Sequence, residues 1–260
     1  MAQSKAASRS RQAAKFALAD VAWDAAWEGL EKMIEFFIMS VLEALVIFAK
    51  QPDPQNTKTR LSPPLSREAA AELYTCFLAD ILATAREVDE AEGFIFYDPP
   101  VAEDYFYGLA PDFRLFPQAG DSLGERMHHA LAELLVQGYR RVVLTGSDLP
   151  HLHVQALRQG FAALRQDADV VLGPSADGGY YLVGLARPQP QLFDIPMSTP
   201  DVLRQTLERV QRLNLRHVLL AEEFDVDTIA DLKRLKAHLE ANPEIRAHCT
   251  RGWLLERPPD

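Results

Sequence analysis

Residues 140–150 read RRVVLTGSDLP, and this stretch predicts the architecture of the chain. Its apolar residues follow one another without alternation, which is typical of a central strand in a parallel sheet that is covered on both faces. Outward from it, from residue 43 onward, short apolar runs alternate with longer runs of helical period. That alternation predicts βα units stacked on one mainly parallel sheet.

The pattern assigns each run to a strand or a helix. Strands are predicted at 44–49, 93–97, 113–116, 140–146, 169–173, 180–185 and 216–220. Helices are predicted at 66–88, 121–138, 151–165, 201–213 and 228–240. Ser66 is expected to cap the first of these helices, and Thr228 with Asp231 resembles a capping box for the last. His151 and His153 open a predicted helix and are expected on its exposed surface.

The 260 residues, of which 48% are hydrophobic, suffice for one large α/β domain with a sizeable core. Lys and Arg number 27 against 37 Asp and Glu, so the formal net charge is -10. Because a chain this acidic is repelled by a phosphate backbone, nucleic acid is not an expected partner. An anionic small molecule fits only where a basic cluster or a bound cation reverses the local charge.

The two cysteines, Cys76 and Cys249, form no CxxC motif. The sequence therefore predicts neither a disulfide framework nor a zinc site, and a reducing cytoplasm is the expected compartment. The most apolar stretch, residues 33–49, carries Glu35 and Glu43. Ionised carboxylates in so short a run argue against a membrane span.

Residues 1–39 differ in pattern from the rest and are predicted to be an appended, helical extension. Residues 13–37 have the period of an amphipathic helix whose polar face is mainly acidic. A transit or membrane-surface helix would need basic residues on that face, so we favour a plain helix that could pair two copies of the chain. Another reading is that translation begins at Met39. Residues 40–242 form the predicted α/β domain, and residues 243–260 a C-terminal tail.

The loop after the first predicted strand is cationic. Ligands of open α/β sheets bind beyond the carboxyl ends of the strands, and residues 50–61 there read KQPDPQNTKTRL. Lys50, Lys58 and Arg60 offer ammonium groups and a planar guanidinium, a combination that suits a phosphate group. The loop lacks the glycine-rich pattern of a P-loop, so side chains would supply the grip. Taken alone, a solvated loop that aids solubility explains it equally well.

Acidic side chains follow three other predicted strands, in one case beside a pair of glycines. These residues are Asp148, Asp177 before Gly178 and Gly179, and Asp225 with Asp227. Each acid alone could cap a helix or belong to a hairpin turn, and the glycines also permit close approach of a ligand. Acids at three strand ends and cations at a fourth together indicate an anionic ligand and a divalent cation.

Six segments of the chain resemble a known family. They are FAKQPDPQNTKTRL (48–61), LGERMHHAL (123–131), VVLTGSDLP (142–150), VVLGPSADGGYYLVGL (170–185), MSTPDVLRQTL (197–207) and FDVDTIADL (224–232). In order and spacing they resemble bacterial glycosyltransferases of the nucleotide-diphospho-sugar transferase superfamily, of the type associated with arsenosugar biosynthesis. The resemblance implies a GT-A fold: a Rossmann-like, three-layer α/β/α arrangement around a mainly parallel sheet. It also implies a nucleotide-sugar ligand and a divalent metal, Mg²⁺ or Mn²⁺.

The resemblance further implies roles for individual residues. Most such enzymes carry a DxD motif, whereas here the matching strand end has one acid, Asp148. The chain is also similar to cofactor nucleotidyltransferases, including molybdenum-cofactor and phospholactate guanylyltransferases, in which a late acidic segment supplies a second metal ligand. By that analogy Asp148 and Asp227 would hold the metal, while Lys58 and Arg60 would steady the phosphates.

The leading hypothesis is glycosyl transfer from a nucleoside-diphosphate sugar to a small hydroxylated acceptor. Asp177 would contact the acceptor or act as general base. The remaining candidates for nucleotide or substrate binding are Lys50, Arg126, Ser147, Gly178 and Gly179. Arg126 could equally form a surface ion pair. Two alternatives stay open: nucleotidyl transfer from a nucleoside triphosphate with release of pyrophosphate, and a catalytically silent nucleotide-binding protein.

Overall fold

The computed structural model describes residues 42–257, so the predictions for residues 1–41 lie outside the described residues. The strands in this range are β1 Glu43–Lys50, β2 Glu92–Asp98, β3 Arg114–Pro117, β4 Arg141–Gly146, β5 Val170–Pro174, β6 Tyr180–Leu185 and β7 His217–Leu219. The α-helices are α1 Arg67–Ala85, α2 Glu103–Leu109, α3 Leu123–Val136, α4 Val154–Arg165, α5 Val202–Arg212, α6 Ile229–Ala241 and α7 His248–Glu256.

The strands between residues 42 and 257 form one sheet in the order β3-β2-β1-β4-β6-β5-β7. Every neighbouring pair is parallel except β4 with β6 and β5 with β6. Strand β6 runs antiparallel because a tight turn joins it directly to β5, with the Ser175 amide donating to the Gly179 carbonyl at 3.0 Å. The predicted mainly parallel sheet is confirmed, and its carboxyl edge also receives the start of β6.

Alternate residues of the strands face two apolar cores. Leu45 and Ile47 of β1 lie in the core shared with helices α1, α4, α6 and α7. Ala44 and Val46 point the other way, into the core shared with α3 and α5. Because strands buried on both faces need apolar residues at every position, the unbroken apolar runs are explained. The three-layer α/β/α architecture is confirmed.

Polar caps fix where several helices begin. The Ser66 hydroxyl accepts from the Ala69 amide at 3.1 Å, and Thr228 and Asp231 form the predicted capping box at the start of α6. Helix α4 begins at Val154, three residues later than predicted, because His153 is its N-cap and accepts from the Gln155 amide at 3.1 Å. Each cap accepts a hydrogen bond from a backbone amide that has no partner within the first turn of its helix.

Two helices, α2 and α7, were not predicted. Helix α7 lies within the segment assigned to a C-terminal tail and packs on α1, where Asp80 accepts from the Cys249 and Thr250 amides at 2.9 Å each. Cys76 of α1 forms a disulfide with Cys249, with the two Cα atoms 4.9 Å apart. The expectation that the cysteines stay unpaired is therefore wrong, because the docking of α7 joins positions 173 residues apart. Within residues 42–257 no helix is long and apolar enough to cross a membrane.

Candidate functional site

A cleft opens at the carboxyl edge of the sheet. Its cavity volume is about 640 Å³, and residues from all four of the predicted loops line it. The wall includes Lys50, Lys58, Arg60, Ser147, Asp148, Asp177, Gly179 and Asp227 from the sequence prediction. Because parallel strands end at the same edge, segments distant in sequence meet in one place. The structure thus brings together most of the predicted site residues.

Lys58 lies at the centre of the charged part of the cleft. Its Nζ is 2.7 Å from Oδ1 of Asp148 and 2.8 Å from Oδ1 of Asp227, and its side chain is only 6% exposed. Burial alone would lower the pKa of the Lys58 ammonium, but the two carboxylates raise it well above its usual value. Lys58 is therefore protonated at neutral pH and links the β1 loop to the loops after β4 and β7.

The backbone at Lys58 is also unusual. Its φ of 46° lies in the left-handed region, which residues other than glycine rarely adopt. Strained backbone of this kind is retained where the surrounding structure holds it, often at functional sites. Here the conformation starts a 3₁₀-helix at Thr59–Leu61 and directs the Lys58 side chain inward to the two carboxylates.

Arg60 and Lys50 lie at the more open part of the cleft. The Arg60 side chain is 75% exposed, and its Nη1 is 4.0 Å from Oδ2 of Asp227. Lys50 is exposed at the end of β1 and lines the same wall. Both cations therefore have donors available to a bound anion, in contrast to the buried Lys58.

Ser147 is held in position by Tyr74, a residue that the sequence analysis did not identify. The Tyr74 hydroxyl of α1 lies 2.7 Å from Ser147 Oγ and accepts from the Lys50 amide at 3.1 Å. Burial, together with the nearby Asp148 carboxylate, raises the pKa of Tyr74 to about 12. Tyr74 thus fixes the ends of β1 and β4 beside the cleft. The position of Tyr74 in the helical period predicts an ordinary core residue, so its contact with Ser147 is visible only in the folded structure.

The turn carrying Asp177 is shaped by local bonds. Asp177 Oδ1 accepts from the Gly179 amide at 2.9 Å, and Asp177 and Gly179 both line the cleft. Gly178 does not line it. Its φ is 88°, and a Cβ built there would lie 2.0 Å from the Pro200 carbonyl oxygen. Glycine is required at 178 by this backbone contact.

Asp225 is a further acid in the cleft wall. The Ser175 hydroxyl donates to its carboxylate. Burial, with smaller repulsion from Asp148, Asp177 and Asp227, raises the pKa of Asp225 to about 6. The alternation of Asp225 and Asp227 in the sequence was the available signal, since it places both on one side of an extended segment.

Arg126 follows its ion-pair alternative, and His151 departs from expectation. Arg126 does not line the cleft: its Nε donates to the Gly120 carbonyl at 3.0 Å, and its Nη1 lies 3.5 Å from Asp98. His151, expected on an exposed helix surface, is buried and stacks on Phe224 with ring centroids 4.3 Å apart. That expectation is wrong because α4 begins only after His151, which instead packs beneath the segment carrying Asp225.

The carboxylates of Asp148 and Asp227 fit a hard divalent cation in their chemistry. Both are about 40% exposed and converge on one point, and carboxylate oxygens are the ligands that Mg²⁺ prefers. That point is occupied by the Lys58 ammonium. Among residues 42–257 no group of three or more His, Cys, Asp or Glu is arranged to hold a metal ion. A cation would therefore share the two acids with Lys58.

Comparisons with known proteins agree with the fold. A family model described as "uncharacterized protein conserved in bacteria", DUF2064, matches residues 81–199. A Desulfovibrio desulfuricans G20 protein, provisionally assigned as a nucleotide-diphospho-sugar transferase, is 34% identical, with 83% of this chain and 95% of that chain covered and a TM-score of 0.78.

More distant structures share the fold alone. A 4-diphosphocytidyl-2C-methyl-D-erythritol synthase from Anaerococcus prevotii DSM 20548 is 10% identical, covering 76% and 96% of the two chains with a TM-score of 0.52. A cytidylyltransferase from Leptospira borgpetersenii is 12% identical, covering 84% and 95% with a TM-score of 0.51. No curated protein matches the chain at a significant level.

Proposed function

Because the chain is 34% identical to a protein provisionally assigned as a nucleotide-diphospho-sugar transferase, shares its fold, and matches the bacterial DUF2064 family over residues 81–199, we propose that it is a glycosyltransferase. It transfers a sugar from a nucleoside-diphosphate sugar to a small hydroxylated acceptor. The specific likeness to the arsenosugar-associated type stays a prediction from the sequence.

The observation that carries this proposal is the buried Lys58 ammonium between Asp148 and Asp227, with Arg60 close by. Three cations, Lys50, Lys58 and Arg60, line the cleft together with four acids, Asp148, Asp177, Asp225 and Asp227. A divalent cation held by Asp148 and Asp227 would therefore shift the local charge in favour of an anion. A compact ammonium and a planar guanidinium match the oxygens of a diphosphate. Arg60 and Lys50, whose donors are open to the cleft, would therefore bind and orient the donor's diphosphate. Lys58 has two of its three N–H donors directed at Asp148 and Asp227, and it would add its remaining donor and its charge.

Asp148 and Asp227 would hold Mg²⁺ or Mn²⁺ in the loaded enzyme. Such an ion offsets negative charge on the departing diphosphate. The Lys58 ammonium would also offset negative charge on the departing diphosphate, because Asp148 and Asp227 keep it protonated. Tyr74 keeps Ser147 and the adjacent Asp148 in position through the 2.7 Å contact between hydroxyls.

Asp177 is the proposed general base, taking the proton from the acceptor hydroxyl at its carboxylate. Its orientation is held by the 2.9 Å bond from the Gly179 amide, and it lies in the same cleft as Lys58. Asp177→Asn retains the hydrogen-bond geometry of the turn but removes the base. We expect this variant to bind donor like the unchanged protein and to lose turnover, whereas equal loss of both would indicate a structural role.

The proposal is tested by identifying the product. The full chain is incubated with UDP-, GDP-, CDP- and ADP-sugars, a panel of hydroxylated acceptors, and Mg²⁺ or Mn²⁺. Acceptor-dependent release of nucleoside diphosphate supports glycosyl transfer. Release of pyrophosphate from a nucleoside triphosphate would assign nucleotidyl transfer instead, and tight binding without either product would indicate a nucleotide-binding protein.

A further inference from the structure

A second cavity lies at the opposite edge of the sheet from the cleft. Its volume is about 450 Å³, and four arginines line it. Arg140 and Arg141 are at the start of β4, Arg187 follows β6, and Arg216 precedes β7. Because β6 is antiparallel to its neighbours, its end meets their beginnings, so these residues converge. We call this cavity the arginine pocket.

The arginine pocket carries an excess of positive charge. Two carboxylates line it, Asp167 and Asp169, against the four guanidinium groups. Outside its wall, the buried Glu43 carboxylate accepts from Arg141 at 3.1 Å but also from Arg165, so one acid serves two cations. Counting these three acids and five arginines leaves a net charge of +2. The chain as a whole has a net charge of -10, so this sign is a local reversal.

The guanidinium groups keep donors available. Arg187 Nη2 and Arg216 Nε lie 3.4 Å from Asp169, longer than the 2.7–2.9 Å of a strong charged hydrogen bond. Both side chains are more than 60% exposed. Within residues 42–257 no carboxylate lies within 4.0 Å of the Arg140 guanidinium. Since each guanidinium has five N–H donors, most of the donors here are uncommitted.

Asp169 gives the pocket a fixed frame. Its side chain is only 12% exposed, and its Oδ2 accepts from the Arg216 amide at 2.9 Å. The same carboxylate attracts the guanidinium groups of Arg187 and Arg216 from two different strand ends. A buried acid that gathers exposed arginines around a cavity holds their charges close together before any ligand arrives.

We propose that the arginine pocket binds a phosphate-bearing small molecule, at a site separate from the cleft. Arginine forks grip phosphate oxygens in pairs, and a phosphate dianion matches the excess charge of +2. Leu135, Leu164 and Pro188 add apolar surface beside the arginines. The cavity exceeds the size of one phosphate group, so it has room for the organic part of such a ligand.

The test uses inorganic phosphate and pyrophosphate as probes, titrated calorimetrically into the full chain at low salt. Arg140→Gln and the double variant Arg140→Gln/Arg187→Gln report on the arginine pocket, and Lys58→Met reports on the cleft. Arg204→Gln is the matched control, because Arg204 lies on α5 and pairs only with Asp201 and Glu208 among the described residues.

We expect Lys58→Met and Arg204→Gln to bind the probes at the arginine pocket like the unchanged protein. In the double variant the affinity of that binding should fall at least tenfold. Arg140→Gln alone disturbs no ion pair of the described residues, so we expect it to fold like the unchanged protein and to weaken binding by less than the double variant does. The proposal is overturned if Lys58→Met binds neither probe, or if the double variant binds like Arg204→Gln. A negative result in the glycosyl-transfer assay does not change the interpretation of these binding measurements, because that assay measures turnover in the cleft.

Discussion

Lys58 separates two carboxylates that would otherwise repel each other. Its proposed role in phosphate binding can be tested by a substitution at this residue. Lys58→Met keeps most of the side-chain length but removes the charge. In the Arg140→Gln/Arg187→Gln background, we expect nucleoside diphosphate affinity, measured by calorimetry, to fall at least tenfold, which corresponds to about 1.4 kcal/mol. Lys233→Met on the exposed side of α6 is the control and should bind normally. Unchanged affinity in Lys58→Met would remove Lys58 from the phosphate site.

Asp225 should make stability depend on pH. Its pKa is raised to about 6 in the fold, from an ordinary value near 4, so the folded state disfavours the ionised carboxylate. The resulting destabilisation is absent at pH 4, develops as pH rises through 6, and is complete above it. We expect Asp225→Asn to increase the free energy of unfolding at pH 7.5 by on the order of 1 kcal/mol, since partial exposure to the cleft screens the repulsion.

Urea unfolding of both proteins at pH 4.5 and 7.5 measures this effect. The Asn carbonyl can still accept from the Ser175 hydroxyl, so loss of that bond does not confuse the comparison. Asp231→Asn, which alters a helix cap instead, serves as a comparison that should be destabilising. A stabilisation by Asp225→Asn that is equal at the two pH values would contradict the prediction.

Residues of the cleft differ in how far the sequence reveals them. Lys58, Asp148 and Asp227 follow apolar strands, and the common edge of a parallel sheet brings such positions together. Arg126 was a candidate for reaching the donor or for a surface ion pair, and the structure shows the ion pair: its contacts with Gly120 and Asp98 keep it outside the cleft wall. Tyr74 and His151 were missed because their roles depend on which helix face or turn becomes buried, and only tertiary packing decides that.

The docking of α7 on α1 gives a prediction for these elements. The Cys76–Cys249 disulfide closes a loop of 173 residues, so it restricts the unfolded chain. We expect its reduction to lower the free energy of unfolding by about 2–4 kcal/mol. Denaturant unfolding with and without dithiothreitol measures this, and Cys249→Ser should match the reduced protein in both conditions. Two reactive thiols in the folded, unreduced protein would contradict the prediction.

Element boundaries show the limits of periodicity. Long helices and buried strands were located because their apolar periods extend over many residues, and caps such as Ser66 fixed their starts. Helix α2 has only seven residues, too few for a period to stand out. Helix α7 depends on Asp80, which binds its first amides from a position about 170 residues earlier. The sequence near α7 therefore does not reveal that Asp80 caps this helix.

At the scale of the whole molecule, the cleft should couple ligand binding to global stability. Its walls come from the β1 loop, the end of β4, the β5–β6 turn and the segment before α6. A ligand that contacts these walls binds the folded chain and not the unfolded one. At a concentration 100 times its dissociation constant, it therefore raises the free energy of unfolding by about 2.7 kcal/mol. For a domain of this size that corresponds to a rise in Tm of roughly 5–10 °C.

We therefore expect UDP, GDP or CDP with Mg²⁺ to raise the Tm of the full chain by that amount, measured by differential scanning fluorimetry. The uncharged nucleosides are the ligand controls and should give little shift, because in the proposed binding mode Lys58 and Arg60 contact the phosphates. The Arg140→Gln/Arg187→Gln background removes binding at the arginine pocket on the opposite edge of the sheet, and in that background Lys58→Met should lose most of the shift. Equal shifts with nucleosides and diphosphates, or a full shift in Lys58→Met, would mean that the buried cation does not hold the diphosphate.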